Sequence, residues 1–310
     1  MKKSLVAAAT IAAVLLTTAC SGIGEESGAS AGESTGAEKS LNTAVDLSSL
    51  GVNEEAKALV PEEIATRGTV VVGVDATYPP NEFKDEQGNP IGWEVDLVAA
   101  AITRLGLEPD LQVAKFENII PNIEMGKFDL GIAGYYDTLK RQENFDVVDF
   151  FWAGNQFASL SDSPIADEMD VCGKKISVPN GGSAPLYYLP EVQKRCDAAG
   201  LGTIETLGYD TTEEMVAAVT LGRAFAMVAD SPVVSYAVKN SDGKLIGSEI
   251  FETMPAGAPF AKKTGGALAE AFAAALQSLH DDGTYDAILN YWGVEVGRYD
   301  EITINAGDKD

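Results

Sequence analysis

From Gly68 onward, short runs of β-branched and apolar residues alternate with stretches whose apolar positions recur every three to four residues. "TVVVGV", Thr69 to Val74, has the length and composition of a buried strand. "GWEVDLVAAAITRLG" then sets Val95, Val98, Ile102 and Leu105 along one helical face, with Gly106 as its stop. "LQVA" follows as a second strand, "FENIIPNIEMG" as a short helix and "FDLGIA" as a third strand. A similar set begins near Lys174. It runs through strand "KKISVP", a helix over 184–199, strand "TIETL", and helix "TTEEMVAAVTLG", whose Thr211 and Glu214 have capping-box spacing. Strand "AFAMVA" and helix "SPVVSYAVK" complete it. Such alternation predicts an α/β protein with mostly parallel sheets flanked by helices. "GGALAEAFAAALQSLHDDGTYDAILNYWG" adds two helices that continue neither set. The pattern therefore predicts two lobes, with this tail packed back on the first and the chain crossing between them twice.

The first twenty residues break the pattern. Lys2 and Lys3 precede an apolar run from Leu5 to Leu16, and "TTAC" ends at Cys20, the layout of a secretory signal over 1–20. The run falls short of the roughly 20 residues a spanning helix needs, and no later segment replaces it. A cysteine closing the signal resembles a bacterial lipoprotein signal, so Cys20 is expected to carry lipid. Thr17 stands where such signals usually have leucine, and an ordinary secretory signal is the alternative. The stretch from Ser21 to Ser49 is rich in Gly, Ser, Ala and Glu with few large apolar residues, too little to offset the entropy of ordering. A flexible tether is expected over 21–60.

The formal charge of −25 falls almost wholly on the rest of the chain, since residues 1–45 hold three Lys and four Glu. A field of that sign repels phosphate backbones and anionic headgroups, which argues against nucleic-acid binding. Cys172 and Cys196 are the remaining cysteines; outside the cytoplasm a lone pair reads as a disulfide, with two buried thiols as the alternative. His280 is the single histidine, which removes Ser-His chemistry and multi-histidine metal sites. It is expected on a solvated helix end.

In open α/β sheets, ligands collect at the carboxyl ends of strands. After "VVVGV" come Asp75 and Tyr78; after "LQVA", Lys115 and Phe116; after "DLGIA", "GYYDTLKR"; after "ISVP", "NGGS"; after "AMVA", Asp230. Arg141 offers a planar fork for a carboxylate, and Thr138 can cap the helix that starts there, leaving amides near the same anion. Singly, each residue has a plainer reading: Arg141 a surface ion pair, Asp230 a helix cap, Tyr78 and Phe116 core aromatics, "NGGS" a turn. Together they suit a zwitterion.

These motifs, in this order from about Arg67 to Trp292, resemble the solute-binding proteins of polar amino acid ABC importers, extracellular solute-binding protein family 3. The resemblance implies the two-lobed type II periplasmic-binding fold: α/β, each lobe a mixed, mostly parallel sheet flanked by helices, joined by a two-strand hinge. Lobe 1 is expected over 61–154 and 257–310, lobe 2 over 155–256. It further implies that Arg141 grips the ligand α-carboxylate, helped by Thr138 and by backbone at Gly134 and Tyr136, and that Asp230 receives the α-ammonium. Tyr78 and Phe116 would sandwich the side chain, Gly182 and Ser183 would close from the second lobe, and Asp75 would read a distal polar group. Asn81, where an aromatic is usual, and Tyr135 with Tyr136, where small residues are usual, depart from the family. A neutral polar side chain is the expectation; ring faces near Asp75 and Glu82 would suit a cationic one.

The expected protein is thus a monomeric, lipid-anchored, extracytoplasmic component that passes an amino acid to a membrane permease, without enzyme activity, cofactor or metal. Two rivals remain open. One is a sensing module for a receptor partner, the other a secreted dehydratase on the same fold, with Glu82 or a neighbouring carboxyl as its acid.

Overall fold

A computed structural model describes residues 44–309. The expected signal, Cys20 and the tether up to residue 43 lie outside the described residues. The N-terminal helices α1 (Glu54–Lys57) and α2 (Glu62–Arg67) lead into strand β1 (Thr69–Val74), a small hairpin β2 (Phe83–Lys84) and β3 (Pro90–Ile91), and helix α3 (Trp93–Arg104). Next come β4 (Glu108–Val113), α4 (Phe116–Glu124), β5 (Leu130–Ile132), α5 (Leu139–Gln142) and the long strand β6 (Phe145–Leu160). The second set comprises β7 (Lys175–Pro179), α6 (Leu189–Ala198), β8 (Glu205–Tyr209), α7 (Thr212–Thr220), β9 (Ala226–Asp230) and α8 (Ser231–Lys239). A second long strand, β10 (Leu245–Ala261), returns to α9 (Lys262–Asp281), α10 (Thr284–Trp292) and β11 (Arg298–Ile304).

One mixed sheet runs through both lobes in the order β4-β1-β5-β10-β6-β9-β7-β8, with β11 beside β6. β4, β1 and β5 pair in parallel, as do β8, β7 and β9. The antiparallel pair β6–β10 belongs to both halves and forms the two-strand connection. Its register shifts between Phe251 and Met254, opposite Gly154, where a Cβ would stand 2.6 Å from Ile250. The cores change over at the same place: Ala153 and Ala256 pack in the first lobe, Phe157 and Ala158 in the second. In lobe 1, α3, α9 and α10 cover one sheet face, and α4 with Phe145 and Tyr135 covers the other.

Two expectations are corrected. The tether does not extend over 44–60: Val45, Leu47, Leu50 and Val60 pack against the lobe 1 core, and the Ala44 amide donates to Asp96 Oδ2 at 2.7 Å. Those apolar side chains supply the burial that the Gly- and Ser-rich stretch before them lacks. His280 is not freely solvated. Its ring centroid lies 5.3 Å from that of Tyr285, and Nε2 lies 3.0 Å from Arg298 Nη2. The Cys172–Cys196 disulfide is formed, with Cα atoms 5.7 Å apart.

Candidate functional site

The carboxyl ends of the strands of both lobes meet around a cavity of about 140 Å³. Lobe 1 lines it with Asp75 and Tyr78 after β1, Phe116 at the start of α4, Gly134 and Tyr136 after β5, and Arg141 from α5. Lobe 2 contributes Gly182 and Ser183 after β7, and Asp230 at the end of β9. Thr138 is the one candidate of this set that does not line it. Its hydroxyl accepts the Arg141 amide at 3.2 Å, the predicted cap, and it faces a shallower neighbouring pocket with Tyr187 and Glu252.

Among the described residues on the lining, Arg141 is the cation without an ion pair, because Lys115 meets Asp210 at 3.6 Å. Its Nη1 donates to the Tyr136 carbonyl at 2.6 Å, and its guanidinium carbon stands 4.9 Å from the centroid of the Tyr135 ring. Burial lowers its pKa, so an arriving anion relieves a desolvated charge. Two of the amides near it are already engaged. Gly134 N–H donates to Glu94 Oε2 at 3.2 Å, and Leu139 N–H donates to the Lys309 carbonyl at 2.8 Å.

Asp230 occupies the N-cap position of α8 but makes no side-chain cap, so the plain reading of it as a helix cap does not hold. It is buried, and desolvation raises its pKa to about 6; the Tyr78 and Tyr136 hydroxyls and the Arg141 charge act against that rise. Gly134 is required beside it, since its φ is +60° and a Cβ there would stand 2.8 Å from Asp230 Oδ2. Burial likewise raises Asp75 to about 6, although Thr77 Oγ1 donates to it at 2.8 Å.

Beside these lies a carboxyl pair that the sequence reading missed as a pair, having named only Glu82. Glu82 and Glu94 are both fully buried side by side, and Glu82's two carboxyl oxygens accept no hydrogen bond. Desolvation, then each other's charge, holds Glu82 well above the ordinary carboxylate range; desolvation lifts Glu94 to about 7. The available signal for Glu94 was the pair of acidic residues, Glu94 and Asp96, inside the otherwise apolar run "GWEVDLVAAA". The atypical aromatic positions are also explained. Asn81 is buried, and its Oδ1 accepts the Trp93 indole N–H at 2.8 Å. Tyr135 is a core residue that stacks on Phe116 with centroids 5.3 Å apart and supports Arg141 from outside the cavity. Only Tyr136 of the two reaches the lining.

The lobes also touch directly. Tyr78 Oη accepts the Asp230 amide at 3.2 Å, Thr77 Oγ1 lies 3.3 Å from the Asp210 carbonyl oxygen, and a Cβ on Gly181 would sit 3.6 Å from Phe116. Among the described residues no cluster of side chains suits a metal ion.

Residues 70–295 match the family of bacterial extracellular solute-binding proteins, family 3. An arginine-binding protein of Corynebacterium glutamicum is 38% identical over 254 residues, covering 81% of this chain and 83% of the relative. Two solved structures align over most of their length. An ancestral arginine-binding protein bound to arginine has a TM-score of 0.65 and 33% identity, covering 73% of this chain and 98% of that one. An ancestral amino acid-binding protein described as a precursor of cyclohexadienyl dehydratase has a TM-score of 0.65 and 29% identity, covering 76% and 99%.

Proposed function

The chain belongs to the bacterial extracellular solute-binding proteins, family 3, and from that membership we propose that it captures a free α-amino acid with a cationic side chain, arginine foremost. It is a substrate-binding component of amino acid import, serving an ABC importer whose permease receives the ligand. The observation that carries the ligand class is the charge of the cavity. Asp75, Glu117, Asp210 and Asp230 line it as carboxylates against Lys115 and Arg141, while burial raises Glu82 on the lining and Glu94 behind it toward the neutral form. A neutral zwitterion needs one carboxylate and one guanidinium; the surplus carboxyls need a further positive charge. The neutral side chain expected from the sequence leaves them unmatched, and the name of the Corynebacterium relative supports the cationic class.

In this reading Arg141 takes the α-carboxylate, Asp230 the α-ammonium, and Tyr78 and Phe116 flank the side chain. Gly182 and Ser183 close from lobe 2. Arg141 and Asp230 sit on different lobes, so the ligand binds the closed state better than the open one and shifts the population toward it. We place lobe 1 at 61–154 with 257–310, extended at its start by the packed residues 44–60, and lobe 2 at 155–256, and a lipid at Cys20 that holds a monomer to the outer face of the membrane. Release of the protein from membranes by Cys20→Ser tests that anchor.

Titration of the purified chain with L-arginine, L-lysine, L-glutamine and L-citrulline tests the ligand. Arginine is expected to bind at least tenfold tighter than citrulline, its neutral isostere. Equal affinities would remove the cationic reading, and no binding of any α-amino acid would remove amino acid capture. Arg141→Ala and Asp230→Ala should each cost about 2–5 kcal/mol of binding while the fold persists.

One observation favours a second reading: Glu82 and Glu94 keep a proton in the cavity wall near neutral pH, as a general acid requires. Turnover of a cyclohexadienyl acid by the purified chain would establish a dehydratase. The binding reading expects none, and no covalent step.

A further inference from the structure

Helix α5 carries Arg141, yet its own sequence does little to hold it. It has four residues and no buried side chain, far below the length of about 12 at which an isolated helix becomes even marginal. Its support comes from the end of the chain. After β11, Asn305 is tied to β6: Oδ1 accepts the Val147 amide and Nδ2 donates to Asp146 Oδ1, each at 2.9 Å. The Ala306 amide then donates to Asp149 Oδ2 at 3.0 Å and the Gly307 amide to Asp137 Oδ2 at 2.6 Å. The Gly307 carbonyl accepts Gln142 Nε2 at 2.8 Å, and the Lys309 carbonyl accepts the Leu139 amide at 2.8 Å.

The strap therefore bonds the residue just before the Thr138 cap, the first residue of α5 and its last, bracketing Thr138 and Arg141. Asp137 and Asp149 are fully buried, and a Cβ on Gly307 would stand 1.8 Å from the Asp137 carbonyl oxygen, so the fit has no slack. These residues lie beyond 295, where the family match ends.

We propose that residues 305–309 form a positioning strap for Arg141, fixing the turn of α5 so that the guanidinium faces the cavity. The proposal rests on the reading of Arg141 as the ligand-carboxylate anchor. Without the strap the Leu139 amide loses its acceptor and Gln142 its main-chain partner, and the short helix frays. Arg141 would keep the Tyr136 carbonyl and the Tyr135 ring but lose its fixed approach to the ligand.

The test compares the full chain with one ending at Ile304, and with Gln142→Ala, a milder change at an accessible position should the truncation fold poorly. The unaltered chain is titrated with L-arginine first; no binding there removes the ligand reading itself, before any variant is read. Hydrogen exchange across 137–142 should then rise about tenfold or more in the truncated chain while α3 and α9 stay protected, and arginine binding should weaken about tenfold. Gln142→Ala should move both in the same direction by less. In an Arg141→Lys background the truncation should add little further loss. Unchanged exchange, unchanged arginine affinity, or a full additional loss in the Arg141→Lys background would overturn the strap's role in positioning.

Discussion

The Tyr78 hydroxyl accepts the backbone amide of Asp230 at 3.2 Å, so a side chain of lobe 1 satisfies a main-chain donor at the start of lobe 2's helix α8. On the two-state reading, separation of the lobes would expose that donor to water. Tyr78→Phe keeps the ring against the ligand but leaves the amide unpaired on closure, a loss of about 1–3 kcal/mol for a buried donor. Arginine affinity should fall about tenfold with thermal stability little changed, and small-angle scattering without ligand should report a more extended molecule. Wild-type affinity in this variant would mean that the bond is dispensable to closure.

The Glu82–Glu94 pair gives the free protein an unusual pH dependence. Glu94 is raised from an ordinary 4.5 to about 7, Asp75 and Asp230 from 3.8 to about 6, and Glu82 well above its ordinary value, all chiefly by desolvation. Between about pH 4 and 7 the folded chain therefore binds more protons than the unfolded one, and stability falls as pH rises. Thermal melts without ligand should show the midpoint dropping from pH 5 to pH 8. Glu82→Gln, which cannot ionise, should remove part of that drop and stabilise the chain at pH 8. A midpoint that climbs over this range would contradict the burial of these carboxyls as charged liabilities. On the proposed reading, in which an ionised Asp230 receives the ligand ammonium, arginine should run the other way and bind more tightly as pH rises through 6 to 7.

The two α/β sets and the strand-end residues were legible because the inner strands β1, β5, β7 and β9 are short apolar runs bounded by turns, whereas the edge strands β4 and β8 are largely exposed. The crossing strands were not. β6 is buried along nearly its whole length, so it lacks the alternation that marks a half-exposed strand, and β10 carries Gly247, Pro255, Gly257 and Pro259, which read as turns. Arg141, Asp230 and Tyr78 stood out by their types at strand ends. Glu94 did not, because its place behind Gly134 depends on how α3 packs under β5. The strap was invisible for the same reason: "NAGDK" is an ordinary polar tail until Asp137 and Asp149 are found beneath it.

Asp210 ties the rim of the cleft. Asn180 Nδ2 donates to its Oδ1 at 2.7 Å from lobe 2, Lys115 approaches its Oδ2 at 3.6 Å from lobe 1, and Thr77 Oγ1 lies 3.3 Å from its carbonyl oxygen. The Asn180 hydrogen bond, then the Lys115 charge, lowers its pKa, so it stays ionised to lower pH than the deeper carboxyls. Asp210→Ala removes a cross-lobe contact and one negative charge at the entrance, and both changes weaken capture of a cation. Exposed pairs are screened, so the effect should be small, about two- to fivefold in arginine affinity at low salt, and should shrink toward nothing at about 1 M salt. A loss that persists at high salt would point to a packing role for this rim.

The disulfide should matter to stability more than to binding. Cys196 is fully buried in α6 and joins Cys172 across 24 residues, entirely within the lobe 2 core. Closing a loop of that length restricts the unfolded chain by about 3 kcal/mol on the entropic account. The paired change Cys172→Ala and Cys196→Ala should lower the denaturant stability of lobe 2 by about that amount, with a further cost from the cavity at Cys196. Neither cysteine lines the ligand cavity, and the nearest shared element is Ala184, which belongs to the same core and also touches the cavity. Arginine affinity at 25 °C should therefore stay within about twofold while the unfolding midpoint moves. An unchanged midpoint, measured by denaturant titration of the oxidised chain against the variant, would mean that the core holds this lobe without the bond. A large loss of affinity would instead show that α6 positions the Gly182–Ser183 turn from behind.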